Sequence, residues 1–281
     1  MSGRAWRAAI AGVLAIGLAA CAAPRAAYQK LDWLASWKLG QYVELDAAQE
    51  RTFEAGFRKI WDWHRDTELV GYGQDLRELA QATQQPMSPD DVRLWARRAE
   101  AHSQRVLERA IDPACGLLSS FDDDQRDSLL KRIAHNIDED AEEYLDAPEP
   151  DIRKQAHKRL RKSLERWVGD LDDRQEAMLE MWSQTRPRRY REWIEERRQW
   201  RERLALVLEQ RAESGFCGRL QTLLLRPREE SDGNMVNEAN ARAWIDFLAS
   251  FSATLDQRQR SHLRDKLVEL ASDFEELRRR S

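Results

Sequence analysis

The sequence predicts an all-α protein, an elongated multi-helix bundle of about ten helices joined by short loops, and three observations lead there. Apolar residues recur at helical spacing along almost the whole chain, while no stretch of four to eight residues alternates as a strand would. Only 12 Gly and 8 Pro interrupt 281 residues, and 34 % of the chain is charged, a composition suited to long solvated helices. An apolar residue followed by Asp, two variable residues and Gln occurs four times, each time where a helix would begin.

The first element is not part of the bundle. Arg4 and Arg7 lead into an apolar run from Ala8 to Leu18, and Leu18-Ala19-Ala20-Cys21 closes it. This is the pattern of a bacterial lipoprotein signal, cut between Ala20 and Cys21 so that the cysteine thiol carries a diacylglyceryl group. A membrane-spanning helix needs about 20 apolar residues, and Arg25, Gln29, Lys30 and Asp32 follow too soon for one. Residues 1–20 are therefore expected to be a signal peptide and 21–27 a lipidated tether. Residues 28–281 are expected to form a single helical domain, in which any subdomain break would fall near 112–120. Ala22, rather than Asp, follows the cysteine; by resemblance to sorted lipoproteins this favours the outer membrane, on its periplasmic side, over the inner.

Helices are then expected near 28–40, 47–70, 74–84, 89–110, 123–146, 151–168, 173–185, 188–212, 216–225, 236–253 and 257–279. Four of these start at the repeated signal: Leu45-Asp46 with Gln49, Phe121-Asp122 with Gln125, Leu171-Asp172 with Gln175, and Leu255-Asp256 with Gln259. Asp accepts an orphan N–H of the first turn, and the Gln three residues on bonds back to the cap. Seven residues after each Asp stands Phe53, Leu129, Leu179 or Leu263, two turns along on the face expected to meet a core. Spacings of 76, 50 and 84 residues are too irregular for a solenoid, which leaves divergent hairpins or mere reuse of a good cap. Ser88-Pro89-Asp90-Asp91 has the chemistry of another start. Asp112-Pro113, Ala147-Pro148 and Arg186-Pro187 are expected as breaks, because proline lacks the N–H a helix needs.

Loss of residues 1–20 removes two arginines and no acid, leaving 44 basic residues against 50 acidic and a net charge of −6, which disfavours nucleic acid as a partner. After Cys21 two cysteines remain, Cys115 and Cys217, an even pair expected to be bonded in an oxidising compartment. The densest polar and aromatic cluster is Trp61-Asp62-Trp63-His64-Arg65 with Glu68 and Tyr72. His64 and Glu68 share a helix face, with Arg65 and Tyr72 nearby, a spacing able to present an acid–base or ligand pair but more simply read as capping and ion pairing. Two ligands do not make a metal site, and the remaining histidines show no ligand spacing, so neither a metal nor a cofactor is expected, nor any catalytic residue.

Three further segments have a structural and a sharper reading. Asp123-Asp124-Gln125-Arg126-Asp127 spells the DDxxD of isoprenoid synthases but opens a helix, where acids suit the dipole. The Arg-rich stretch 188–203 interleaves Glu with Arg at helical spacing, as an ion-paired amphipathic helix does, rather than forming a docking face for acidic partners. The aromatics of 28–42, Tyr28, Trp33, Trp37 and Tyr42, could sit among lipid headgroups, though their breadth around a helix favours packing into a core.

Together, the lipobox, Leu31-Asp32-Trp33-Leu34 followed by Trp37 and Tyr42, the Leu45/Gln49 helix start, Trp63-His64-Arg65 with Glu68-Leu69 and Tyr72, and Glu143-Tyr144-Leu145 resemble the DUF6279 family of proteobacterial lipoproteins of unknown function. The resemblance implies a helical, lipid-anchored periplasmic protein and implies no catalytic residues. The function expected is that of a non-enzymatic scaffold or adaptor, held to the membrane through lipid on Cys21 and binding an envelope protein. The alternative is a ligand-binding or hydrolytic protein with a pocket around His64, Glu68 and Tyr72.

Overall fold

The repeated Asp-x-x-Gln signal does more than start helices. In all four copies the Asp side chain accepts the backbone N–H of the Gln, at 2.7–2.9 Å, and the Gln side chain accepts the backbone N–H of the Asp, at 3.0–3.2 Å. The computed structural model describes residues 28, 30–186, 189–225 and 234–279, and among them every regular element is helical. The order is α1 Leu31–Gly40, α2 Ala47–Trp63, a π-helical turn His64–Glu68, α3 Leu69–Ala82, α4 Pro89–Leu118 and α5 Asp123–Ala141. A second π-helical turn Glu142–Asp146 follows, then α6 Glu149–Val168, α7 Asp173–Thr185, α8 Tyr190–Glu209, α9 Phe216–Leu225, α10 Asn234–Ser252 and α11 Gln257–Arg279.

The chain divides into two compact units, each gathered from three stretches. Unit 1 takes Met1–Glu68, Ala101–Glu142 and Arg191–Asp232; unit 2 takes Leu69–Glu100, Glu143–Tyr190 and Gly233–Ser281. Residues 112–120 lie inside unit 1, so no boundary falls there.

Each unit contains two of the four caps, and the two are joined by their glutamines. In unit 1 the Gln49 amide donates to Gln125 Oε1 at 2.8 Å and Gln125 donates back to Gln49 Oε1 at 2.6 Å. Each amide also donates to the carbonyl two residues ahead of the other cap, Gln49 to Ser120 (2.9 Å) and Gln125 to Glu44 (2.8 Å). Unit 2 repeats the pattern: Gln175 and Gln259 exchange bonds of 2.8 and 2.9 Å, Gln175 donates to the Thr254 carbonyl at 3.4 Å, and Gln259 to that of Asp170 at 2.8 Å. An amide has two donors and an acceptor oxygen with two lone pairs, and this arrangement uses all four in both members. The result is a two-fold-like clasp between helix N-termini, α2 with α5 in unit 1 and α7 with α11 in unit 2.

Below each clasp lies a core set by the residues two turns on. Leu129 and Leu179 are fully buried, and Phe53 and Leu263 partly so. Unit 2 packs Leu160, Leu164 and Val168 of α6 against Leu179 and Trp182 of α7 and Phe247 and Phe251 of α10, with Trp182 and Phe247 rings 5.3 Å apart. α11 lays Leu267, Leu270, Ala271, Phe274 and Leu277 inward and packs along α3. Burial of each such side chain contributes about 1.5–3 kcal/mol. Unit 1 buries Val106, Ile111, Leu117 and Leu118 of α4, Leu130, Ile133 and Ile137 of α5, and Ile194, Leu204 and Leu208 of α8.

Two expected breaks are absent. The helix does not stop near residue 70; the π-helical turn His64–Glu68 leads directly into α3, and Gly71 is helical. Nor does Pro113 end α4, which continues to Leu118. A Cβ placed on Gly56 would lie 2.8 Å from the Pro113 Cβ, so α2 approaches α4 at a bare glycine and the proline ring packs there. That contact offsets part of the lost backbone bond. Where a stop does occur, after α6, Gly169 takes φ 83°, the left-handed conformation that favours glycine.

Candidate functional site

The polar cluster expected around residue 64 is divided by the fold. The π-helical turn adds a residue to the helical repeat, turning Glu68 inward to a position where only 1 % of its side chain meets solvent. Its carboxylate is held by α4. Arg105 Nε donates to Oε1 at 2.7 Å and Nη2 to Oε2 at 3.1 Å, a two-pronged pair, and His102 Nδ1 donates to Oε2 at 2.5 Å. Arg105 Nη2 also lies 2.6 Å from His102 Nδ1, but an Nδ1 whose proton faces the carboxylate cannot accept there. Burial alone would raise the Glu68 pKa; the bonds from His102 and Arg105 outweigh it and hold the carboxyl below its ordinary range. Glu68 is thus a buried anion saturated by donors. That is the chemistry of a clasp between the π-helical turn and α4, not of a base poised to take a proton.

His64, four residues earlier, is buried among aromatic rings. Trp61 lies 6.4 Å away in near-parallel orientation, continuing a row of Phe53, Phe57 and Trp61 along α2. Tyr28 packs on Trp61 at 3.9 Å, and its hydroxyl is hydrogen-bonded to His64 Nδ1 at 3.2 Å. Burial pushes the Tyr28 phenol upward, keeping it protonated, and lowers the His64 pKa to about 4, so that the imidazole is neutral at pH 7. Arg65, its side chain only 20 % exposed, pairs with Asp62 at 3.2 Å and Asp66 at 3.5 Å. Tyr72 belongs to unit 2, where its ring meets Phe274 at 5.8 Å. His64 and Glu68 thus share the interior of unit 1, while Tyr72 packs within unit 2. The partners that the sequence reading missed, His102 and Arg105, come from α4. A signal for His102 was present: Val92, Trp95, Ala99, His102 and Val106 follow the three-four spacing of an inward stripe.

Unit 1 does have a groove of about 700 Å³, between α2 and the C-terminal half of α4 beside Gly56. Arg51, Lys59 and Arg109 line it together with Glu108 and Asp112, a mixed-charge wall that includes neither His64 nor Glu68. Among the described residues no group of three or more His, Cys, Asp or Glu is placed to hold a metal ion.

The remaining sequence candidates have plain structural partners. Cys115 is bonded to Cys217 with Cα atoms 5.5 Å apart, joining the last turn of α4 to the start of α9 within unit 1. Asp123 is held by Arg211 at 2.7 Å and Arg126 at 3.0 Å, and Asp127 by Arg126 at 2.8 Å, so these members of the DDxxD segment act as N-terminal acids with cations. In the Arg-rich helix, Arg197 pairs with buried Asp140 of α5 and Arg201 Nε donates to the Leu130 carbonyl at 3.3 Å, so the helix directs charge onto α5. Tyr28 and Leu31 pack inward, and the Tyr42 hydroxyl accepts from Asn136 at 2.9 Å. Packing was expected across 28–42, but Trp33 and Trp37 are turned to solvent, since Tyr28 and Leu31 already take the inward face of α1. Ala20 and Cys21 lie outside the described residues.

Among the described residues no helix is long and apolar enough to cross a membrane. No curated protein and no solved structure shows significant similarity to the chain. Residues 41–231, more than half of the sequence, match the DUF6279 family, described as a family of unknown function, and the chain belongs to that family.

Proposed function

We propose that the protein is a lipid-anchored scaffold or adaptor of the bacterial periplasm. Signal cleavage after Ala20 leaves lipid on Cys21, held preferentially in the outer membrane, and the helical body binds an envelope protein. The observation that carries the binding role is the set of large apolar side chains left on the surface of unit 2: Met181 of α7 is 65 % exposed, and Trp244 and Leu248, one turn apart on α10, are both partly exposed. Exposed methionine and tryptophan are what protein-docking surfaces favour. The polar groups a reaction would use, Glu68 and His102, are instead bonded to one another inside unit 1, with Arg105 also bonded to Glu68.

The test is crosslinking in cells, detergent capture and mass spectrometry of the wild type, a Cys21→Ala strain and a Met181→Glu strain. The reading predicts a stoichiometric envelope partner that is lost with the lipid and at least tenfold reduced by Met181→Glu. Recovery of the protein alone, or of a partner indifferent to both changes, would overturn it.

A further inference from the structure

We infer that Trp33 and Trp37 form a seat in the headgroup layer of the membrane that holds the Cys21 lipid, fixing α1 against that surface; the inference rests on the lipid-anchored reading above. Among the described residues of unit 1 the two indoles are the most exposed aromatic side chains, at 61 % and 53 %, and they stack on one another with centroids 6.2 Å apart and planes 14° from parallel. Nothing in the core of unit 1 requires them. α1 is already clamped by its opposite side, through Leu31, buried to 5 % exposure, and through Tyr28 against Trp61 just ahead of it.

Two indoles a turn apart on an exposed helix face leave much apolar area in water, which a headgroup layer relieves while the indole N–H stays among polar groups. The connecting chain commits the surface to that occupant. Tyr28 is seven residues from Cys21, so its Cα lies within roughly 25 Å of the lipid-bearing residue even with the chain fully drawn out. A lipid on Cys21 therefore keeps α1 within about the thickness of one leaflet of the membrane surface. Lys30, three residues before Trp33, suits anionic headgroups, whereas Asp32, next to Trp33 in sequence, argues for a shallow seat rather than insertion.

The test uses the full-length protein purified from membranes in detergent, with the state of Cys21 read by mass spectrometry. The protein is placed in phosphatidylethanolamine–phosphatidylglycerol vesicles whose acyl chains carry bromine near the interface, a short-range quencher of tryptophan. Quenching of roughly a fifth of the emission is expected, the share of two among the ten tryptophans that follow Cys21, and it should vanish in the Trp33→Phe/Trp37→Phe protein. Full lipidation without quenching, or quenching unchanged in the double variant, would overturn the inference while leaving the anchor in place; the face would then belong to a protein. Cys21 found without lipid would overturn the anchored reading instead. In that case the same vesicles decide the seat alone: quenching that depends on Trp33 and Trp37 keeps it, and none removes it.

Discussion

Unit 1 and unit 2 use the same clasp for different ends. In both, two Asp-capped helices meet through a reciprocal glutamine pair, with the same donors aimed at the same backbone positions. In unit 2 the clasp sits over an apolar and aromatic core built from Leu179, Trp182, Phe247 and Phe251, and Gln175 is wholly buried. In unit 1 the clasp shares the interior with charge: Glu68 between Arg105 and His102, Asp140 with Arg197, the neutral His64, and a disulfide. The difference teaches that the repeated motif is the framework. The buried polar groups of unit 1, which sequence reading would nominate for chemistry, are local substitutes for apolar packing that bind particular helices to one another.

The largest effect that would separate the units belongs to the disulfide. Cys115→Ala with Cys217→Ala opens a link between residues 102 apart, and loop-closure entropy puts its loss at up to about 4–5 kcal/mol. Urea unfolding followed by probes in each unit should show the transition of unit 1 moving and that of unit 2 moving less; equal shifts would mean that the units unfold as one.

Next comes acid. Folding lowers the His64 pKa from 6.5 to about 4, mainly by burial, with Glu68 opposing the shift and His102 adding to it. The unfolded chain therefore takes up the proton first. Stability from this residue is intact above pH 6.5, falls between pH 6.5 and 4, and the total loss is about 3 kcal/mol. His64→Phe, which keeps a ring beside Trp61, should flatten that part of a stability-against-pH curve; an unchanged slope would show that His64 is not the group responsible. The Glu68 contribution has a lower window, since its depressed pKa means that stability is lost only as pH falls through that value.

Glu68→Ala itself leaves His102 buried without its acceptor, while Arg105, 45 % exposed, recovers water. The expected cost at pH 7 is about 2–3 kcal/mol, below the full penalty for breaking a buried pair, and is measured by the same urea series. The smallest effect compares the clasps directly. Gln175→Ala should cost about 2–3 kcal/mol and Gln49→Ala about 1–2, because Gln175 is wholly buried beside a buried Gln259, whereas the Gln125 partner of Gln49 is partly solvated. Equal costs would show that burial does not distinguish them.

Most of the fold was legible because it rests on local chemistry. The caps at Asp46, Asp122, Asp172 and Asp256 mark helix starts whatever they pack against, and the expected limits of α7, α9 and α11 coincide with the observed ones. Pro113 misled because its place in α4 depends on Gly56, 57 residues earlier. That the four caps meet in two pairs was not legible, since pairing is set by long-range packing, although the motif that pairs was plain. Around residue 64 the sequence picked out two residues that matter, but neither the π-helical turn that carries them nor the partners of Glu68. His64 and Glu68 do point inward, but helical spacing alone grouped them with Tyr72 and was silent about Arg105, 37 residues on.

The proposed adaptor role places binding at the surface of the molecule rather than at the buried charges of unit 1. The direct test is a photo-reactive phenylalanine placed in cells at position 181 or 244 of unit 2 and, as a control, at exposed Glu50 of unit 1. Discrete adducts with the same envelope protein from 181 and 244, absent from 50 and unaffected by Glu68→Gln, are predicted. No adduct from either unit 2 position, or adducts abolished by Glu68→Gln in a protein that remains folded, would contradict it.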